Sequence, residues 1–133
     1  MLGFPRAILD MPRPWVAWVM LLFGINFVPG LLYWSSPEGK VVLAALMLGG
    51  LLQTAIFSAR GFVRLLGIGH LAWLPMVLWL WMRLGTAPVG SLFRYWLLAV
   101  IILNSLSLII DTVDVIRYIR GEREPLQPPA PRP

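Results

Sequence analysis

The sequence has no cysteine and only one histidine in 133 residues, and these shortages exclude several kinds of chemistry. Disulfide bonds, thiolate metal sites and cysteine nucleophiles all need a side chain that is missing here. Haem ligation by two histidines of one chain is excluded as well. We therefore predict neither a cofactor nor a resident metal ion.

Charged residues are also scarce, at 13% of the chain, whereas 59% of the residues are hydrophobic. Globular domains contain about 25% charged and roughly 45 to 50% apolar residues. The net charge of +5 comes from cations that stand singly rather than in basic runs. We expect no nucleic-acid binding, and we assign the positive charges to the ends of membrane-spanning segments.

Four long apolar stretches fill most of the chain: residues 15–34, 41–59, 62–82 and 92–110. A bilayer with a hydrocarbon core of about 30 Å requires roughly 20 apolar residues in a helix. The sequence therefore predicts an all-α integral membrane protein, a four-helix transmembrane bundle over residues 15–120. Its fourth helix is expected to continue past residue 110 to residue 120 on the cytoplasmic side.

Lysine and arginine are distributed unequally between the two sides of this bundle. Three lie in or beside the first and third connections: Lys40, Arg83 and Arg94. Eight lie in the N-terminal segment, the second connection and the C-terminal end: Arg6, Arg13, Arg60, Arg64, Arg117, Arg120, Arg123 and Arg132. Because cytoplasmic loops are enriched in these residues, we predict a multi-pass protein of a bacterial-type inner membrane with both termini in the cytoplasm.

The two ends of the chain differ in composition from the spans. Residues 1–14 hold three prolines among apolar and charged residues, which fits either an interfacial helix or a disordered segment. The first apolar stretch is too long for a cleaved signal peptide, so we expect it to remain as a span. The proline-rich residues 121–133 predict a disordered cytoplasmic tail, with a docking peptide as the alternative.

Serines mark the expected starts of two helices. Ser35 precedes Pro37 and is followed three residues later by Glu38, a pattern typical of a capped helix start. Ser91 can cap the fourth helix in the same way. The link at residues 59–61 is so short that the second and third spans are predicted to be antiparallel neighbours.

A polar side chain inside an apolar span raises the free energy of membrane insertion, so each one needs an explanation. Four in the fourth span fall on one helix face, at about 100° per residue. A glutamine of the second span and the single histidine, in the third, lie at a similar depth. Together they define a candidate polar pocket that opens to the cytoplasm: Gln53, His70, Asn104, Ser107, Asp111 and Asp114.

The same side chains have a structural interpretation, which we favour. Asn, Gln and Ser form interhelical hydrogen bonds worth about 1 kcal/mol, and Asp114 is expected to pair with Arg117 one turn later. The sequence contains no Gly-rich phosphate loop, nucleophile elbow or zinc-protease motif. We therefore assign no catalytic residue and no metal ligand.

The sequence is compatible with three functions. The short chain encloses little volume, which favours a non-enzymatic accessory protein that binds another membrane protein or a second copy of itself within the lipid bilayer. The alternatives are an oligomeric small-solute or proton-coupled transporter that uses the polar pocket, and an enzyme that modifies lipid headgroups.

Overall fold

The computed structural model describes residues 3–61 and 64–123, and this part of the chain is helical. Its α-helices are α1 (Gly3–Leu9), α2 (Arg13–Leu32), α3 (Pro37–Arg60), α4 (Trp73–Arg83) and α5 (Leu92–Ile119). Two 3₁₀ segments, Arg64–His70 and Leu84–Thr86, flank α4. The predicted proline-rich tail lies outside the described residues beyond position 123.

Four segments are long and apolar enough to cross a membrane: Arg13–Leu32, Pro37–Arg60, Arg64–Thr86 and Leu92–Ile119. This confirms the all-α prediction and the four candidate spans. Consecutive spans contact one another, and α5 also contacts α2, so the four spans close into a bundle. The short helix α1 lies beside α3, where the rings of Phe4 and Phe57 are 5.5 Å apart.

The serine that caps α3 lies one residue after the predicted one. The hydroxyl of Ser36, not Ser35, accepts a hydrogen bond of 3.0 Å from the backbone N–H of Gly39. Pro37 then occupies the first helical position, where its missing N–H costs nothing. Glu38 is buried and accepts a hydrogen bond from Arg83 at 2.5 Å instead of completing the cap.

The predicted cap of α5 is confirmed, because the hydroxyl of Ser91 accepts a bond of 3.2 Å from the N–H of Arg94. At the same end of the bundle, the Arg94 guanidinium donates to the carbonyls of Leu84 and Ala87. The short 3₁₀ segment after α4 is thereby tied to the start of α5.

Proline shapes the contact between α2 and α5. Pro29 lies inside α2 and has no N–H to give to the carbonyl of Ile25 four residues earlier. The indole Nε1 of Trp96 on α5 donates to that carbonyl at 2.8 Å. A partly buried backbone acceptor is thus satisfied by a neighbouring helix.

The third span is not the uniform helix that its hydropathy predicts. Residues 64–70 form a 3₁₀ helix of seven residues, longer than the three or four that are usual. Pro75 contributes to the break before α4, since it cannot donate to the carbonyl of Leu71, which instead accepts from the N–H of Leu74 at 3.2 Å. The tighter winding rises about 2.0 Å per residue, so this segment is longer and thinner than an α-helical one.

The apolar core lies toward the end of the bundle where α3 begins and α4 ends. Its fully buried apolar side chains come from α3, α4 and α5: Val42, Leu80, Leu97 and Val100. Large apolar side chains also cover the outside of the bundle, among them Leu51, Met82 and Ile109. The opposite half of the bundle is held largely by polar contacts and glycines, and the candidate site lies there.

Candidate functional site

His70, at the end of the 3₁₀ segment, forms a hydrogen bond through each of its two ring nitrogens. Its Nε2 lies 3.1 Å from Nε2 of Gln53 on α3, and its Nδ1 lies 2.6 Å from Oδ2 of Asp111 on α5. The hydrogen bonds thus run from one helix through the histidine to another. Three of the six predicted pocket residues are in direct contact.

The contacts of Gln53 decide which ring nitrogen of His70 carries the proton. The Gln53 amide nitrogen lies 3.3 Å from the carbonyl oxygen of Leu66, which can only accept a hydrogen bond. The same nitrogen faces Nε2 of His70, so Nε2 is the acceptor and the proton of the neutral ring lies on Nδ1. Nδ1–H then donates to the Asp111 carboxylate, which is the pairing that stabilises this tautomer.

Trp73 covers the histidine ring. The two rings are stacked, with centroids 3.9 Å apart and planes 19° apart. Trp73 is buried, and its indole Nε1 has no hydrogen-bond partner among residues 3–61 and 64–123. This aromatic contact fixes the plane of the imidazole, and it arises because residues three apart share a face near the junction of the 3₁₀ segment and α4.

Glycines allow the three backbones to approach closely at this point. A Cβ on Gly67 would lie 2.9 Å from the carbonyl oxygen of Asp111, and a Cβ on Gly69 would overlap Cγ of Gln53. On the facing helix, a Cβ on Gly49 would lie 3.0 Å from the carbonyl oxygen of Gly69. The 3₁₀ segment therefore packs closely between α3 and α5. This position brings Gln53 and Asp111 within hydrogen-bond distance of the histidine.

Ser107 lies at the edge of this cluster. Its hydroxyl is 3.5 Å from Oδ2 of Asp111, one turn away on the same helix, and the serine is buried. At that distance the hydrogen bond is weak. The side chains of His70 and Asp111 remain 16% and 18% exposed, so the cluster is not sealed.

Asn104 does not join the histidine cluster. Its amide exchanges two hydrogen bonds with Asn26 of α2, at 2.9 and 3.0 Å. Asn26 also donates to the carbonyl of Leu22 at 2.7 Å. These contacts close a separate, fully buried amide pair between α2 and α5.

Asp114 pairs with a different arginine from the one predicted. Nη1 of Arg64 lies 2.7 Å from Oδ1 of Asp114, whereas Arg117 binds Glu122 at 2.7 Å. The prediction from i and i+3 spacing is wrong because Arg64 starts the third span directly beside α5. Glu122 also lies 3.4 Å from Nε of Arg64, so four charges form one network at this end of the bundle.

Sequence reasoning left Arg64, Trp73 and Asn26 out of the candidate set. Trp73 follows the histidine by three residues, and that spacing is the only local signal for its stacking. Asn26 was recognisable as a polar residue near the middle of an apolar span. Its partner depends on which helices are neighbours, which periodicity does not give.

No family model, curated protein or solved structure matches this chain. Function must therefore be inferred from the chemistry of these residues. In the described part of the chain, no three His, Asp or Glu side chains converge as metal ligands would. The cluster can hold one proton in a defined place between His70 and Asp111, and it can fix three helices to one another.

Proposed function

We propose that this protein is a non-enzymatic accessory subunit of a bacterial-type inner membrane, which binds another membrane-spanning chain. The observation that carries the proposal is the internal pairing of the polar side chains. Asn26 bonds to Asn104, while Gln53 and Asp111 bond to His70. Side chains that satisfy one another hold helices together and are not free to bind a solute.

The outward face of α2 is the surface that we propose for the partner. Its exposed apolar side chains repeat at helical spacing, and two of them, Phe23 and Phe27, stack with ring centroids 5.0 Å apart. Gly24 lies on the same face, and a Cβ there would meet nothing within 4 Å. A small residue beside large apolar ones is the pattern through which transmembrane helices approach one another.

We further propose that both termini face the cytoplasm. Eight Lys and Arg residues lie in the N-terminal segment, the second connection and the C-terminal end, whereas three lie in or beside the first and third connections. Because the positive-inside rule counts Lys and Arg in the loops and gives little weight to carboxylates, this bias of eight to three supports the proposal.

Purification from native membranes in mild detergent tests the partner surface when two glycine variants are compared. Gly24→Leu and Gly50→Leu both add a side chain where the chain itself offers no obstacle, one on the proposed face of α2 and the other on α3. We expect a partner in fixed proportion with the wild type and with Gly50→Leu, and its loss with Gly24→Leu. Equal partner recovery from both variants would contradict the proposed surface.

A proton-coupled transporter remains a second candidate because of one contact. The hydrogen bond of 2.6 Å between His70 and Asp111 lies in a cluster that is not fully buried. Asp111→Asn separates the two functions, because the amide still accepts a hydrogen bond but removes the charge. An accessory role predicts normal partner binding by this variant, whereas a transporter predicts normal abundance with loss of the cellular phenotype.

A further inference from the structure

An open groove of about 420 Å³ lies between the start of α2 and the second half of α5. This volume is within the range of about 300 to 1,000 Å³ that is typical of small-molecule sites. Its lining is almost entirely apolar: Pro14, Trp15, Trp18, Leu106, Ile109 and Ile110. The groove is separate from the histidine cluster and from the proposed partner face of α2.

The lining places the groove at the boundary between hydrocarbon and headgroups. Trp15 and Trp18 lie in the first two turns of α2, directly after Arg13. Tryptophan is enriched at this depth because its ring is apolar and its N–H is polar. A groove that begins between such residues and continues along an apolar helix runs in the direction of the lipid tails.

The headgroup end of the groove is basic. Arg13 immediately precedes the lining residue Pro14, and Arg117 and Arg120 follow Ile110 by seven and ten residues. These spacings return both arginines to the face of α5 that lines the groove, about 10 and 15 Å nearer the helix end. The groove is therefore apolar along its lining and positively charged at its headgroup end.

Two of these arginines lack an anionic partner. In residues 3–61 and 64–123, no carboxylate lies within 4 Å of Arg13 or Arg120, and both are exposed. Asp114 pairs with Arg64 and Glu122 pairs with Arg117, so Asp10, three residues before Arg13, is the one carboxylate near this end without an ion pair among the described residues. The headgroup end of the groove therefore carries positive charge that can bind an anion from outside the protein.

We propose that this groove binds an anionic phospholipid, with an acyl chain along the apolar lining and the phosphate at Arg13 and Arg120. An apolar channel beside two unpaired guanidinium groups complements both halves of such a lipid. A free phosphate would leave the apolar groove uncovered. The site requires only that the bundle lies in a bilayer, and it does not depend on the partner proposed for α2.

Lipid retention measures this site directly. The full chain is reconstituted in vesicles of equimolar phosphatidylglycerol and phosphatidylcholine, extracted in mild detergent and analysed for bound lipid by native mass spectrometry. We expect the wild type to retain phosphatidylglycerol about 10-fold or more in preference to phosphatidylcholine. The double variant Arg13→Gln, Arg120→Gln should lose this preference, whereas Lys40→Gln, at the other end of the bundle, should keep it.

A third variant tests the apolar half of the site. Ile109→Trp fills the groove without altering charge, and it should lower retention of both lipids while the melting temperature stays unchanged. Equal retention of both lipids by the wild type, or a preference that survives in the double arginine variant, would overturn the proposal. Displacement of the lipid by inorganic phosphate, but not by chloride at the same ionic strength, would overturn it as well.

Discussion

Asn26 and Asn104 exchange two hydrogen bonds across the interface of α2 and α5, with residue exposures of 1% and 0%. The side-chain nitrogen of each residue donates a hydrogen bond to the side-chain oxygen of the other. Both amides therefore have a donor and an acceptor engaged in the pair. The two residues are 78 positions apart in the sequence. This reciprocal pair sets the register of the first and last spans.

A double-mutant cycle on this pair should reveal strong coupling. Asn26→Leu or Asn104→Leu leaves one buried amide without its partner, and each should lower the free energy of unfolding by roughly 1 to 2 kcal/mol. The double variant removes both amides and should cost less than the sum of the two changes. Unfolding in mixed detergent micelles measures all four proteins, and strictly additive losses would show that the two amides do not interact.

Substitutions of Asp111 should separate the role of its oxygen from that of its charge. Asp111→Asn keeps an acceptor for Nδ1–H of His70 and should change the melting temperature little. Asp111→Ala leaves that partly buried donor unpaired, so we expect a loss of about 1 to 3 kcal/mol. Equal destabilisation by the two substitutions would mean that the carboxylate charge, not the hydrogen bond, holds the cluster together.

Alanine should have opposite effects at Gly69, which packs against α3, and at Gly50, which lies on the open side of α3. Gly69→Ala places a methyl group against Gln53, which must move and lose its bond to His70, at a cost of roughly 1 to 3 kcal/mol. Gly50→Ala meets nothing within 4 Å and should raise stability by up to about 1 kcal/mol, because alanine favours the helix. Thermal unfolding in detergent measures the stability of both variants relative to the wild type. A stable Gly69→Ala variant would rule out the close approach of the third span to α3.

The bond from Trp96 to the carbonyl of Ile25 should matter only while Pro29 is present. Pro29→Ala restores an N–H four residues after Ile25, and that N–H can take over the carbonyl. We therefore expect Trp96→Phe to cost about 1 kcal/mol more in the wild type than in the Pro29→Ala background. The loss of indole volume is the same in both backgrounds and cancels. Identical costs would exclude the indole as the partner of this carbonyl.

The spans follow from the sequence because a bilayer allows few alternatives. A chain in hydrocarbon must satisfy its backbone hydrogen bonds internally, so apolar stretches of this length predict helices. The winding of the third span does not follow as readily. Pro75 indicates a break near Leu71, but the 3₁₀ form of residues 64–70 depends on how closely Gly67 and Gly69 approach the neighbouring helices.

The site was predicted as one polar face, and the structure divides that face between two neighbours. Helical periodicity places Asn104 and Asp111 on the same side of α5, but they lie about two turns apart. At the level of Asn104 the neighbour is α2, whereas at the level of Asp111 it is the 3₁₀ segment. Periodicity gives the direction of a side chain and cannot give the helix that it meets. The same limitation explains why Asp114 was assigned to Arg117 rather than to Arg64.

Cysteine labelling tests the four-span arrangement with cytoplasmic termini most directly, because the chain has no cysteine of its own. Single cysteines can be introduced at four exposed positions near the span ends: Ser35, Ala59, Val89 and Ile119. In intact spheroplasts, a membrane-impermeant maleimide should label Ser35→Cys and Val89→Cys. It should label Ala59→Cys and Ile119→Cys only after the membrane is permeabilised. Labelling of Ala59→Cys or Ile119→Cys in intact spheroplasts would contradict this account.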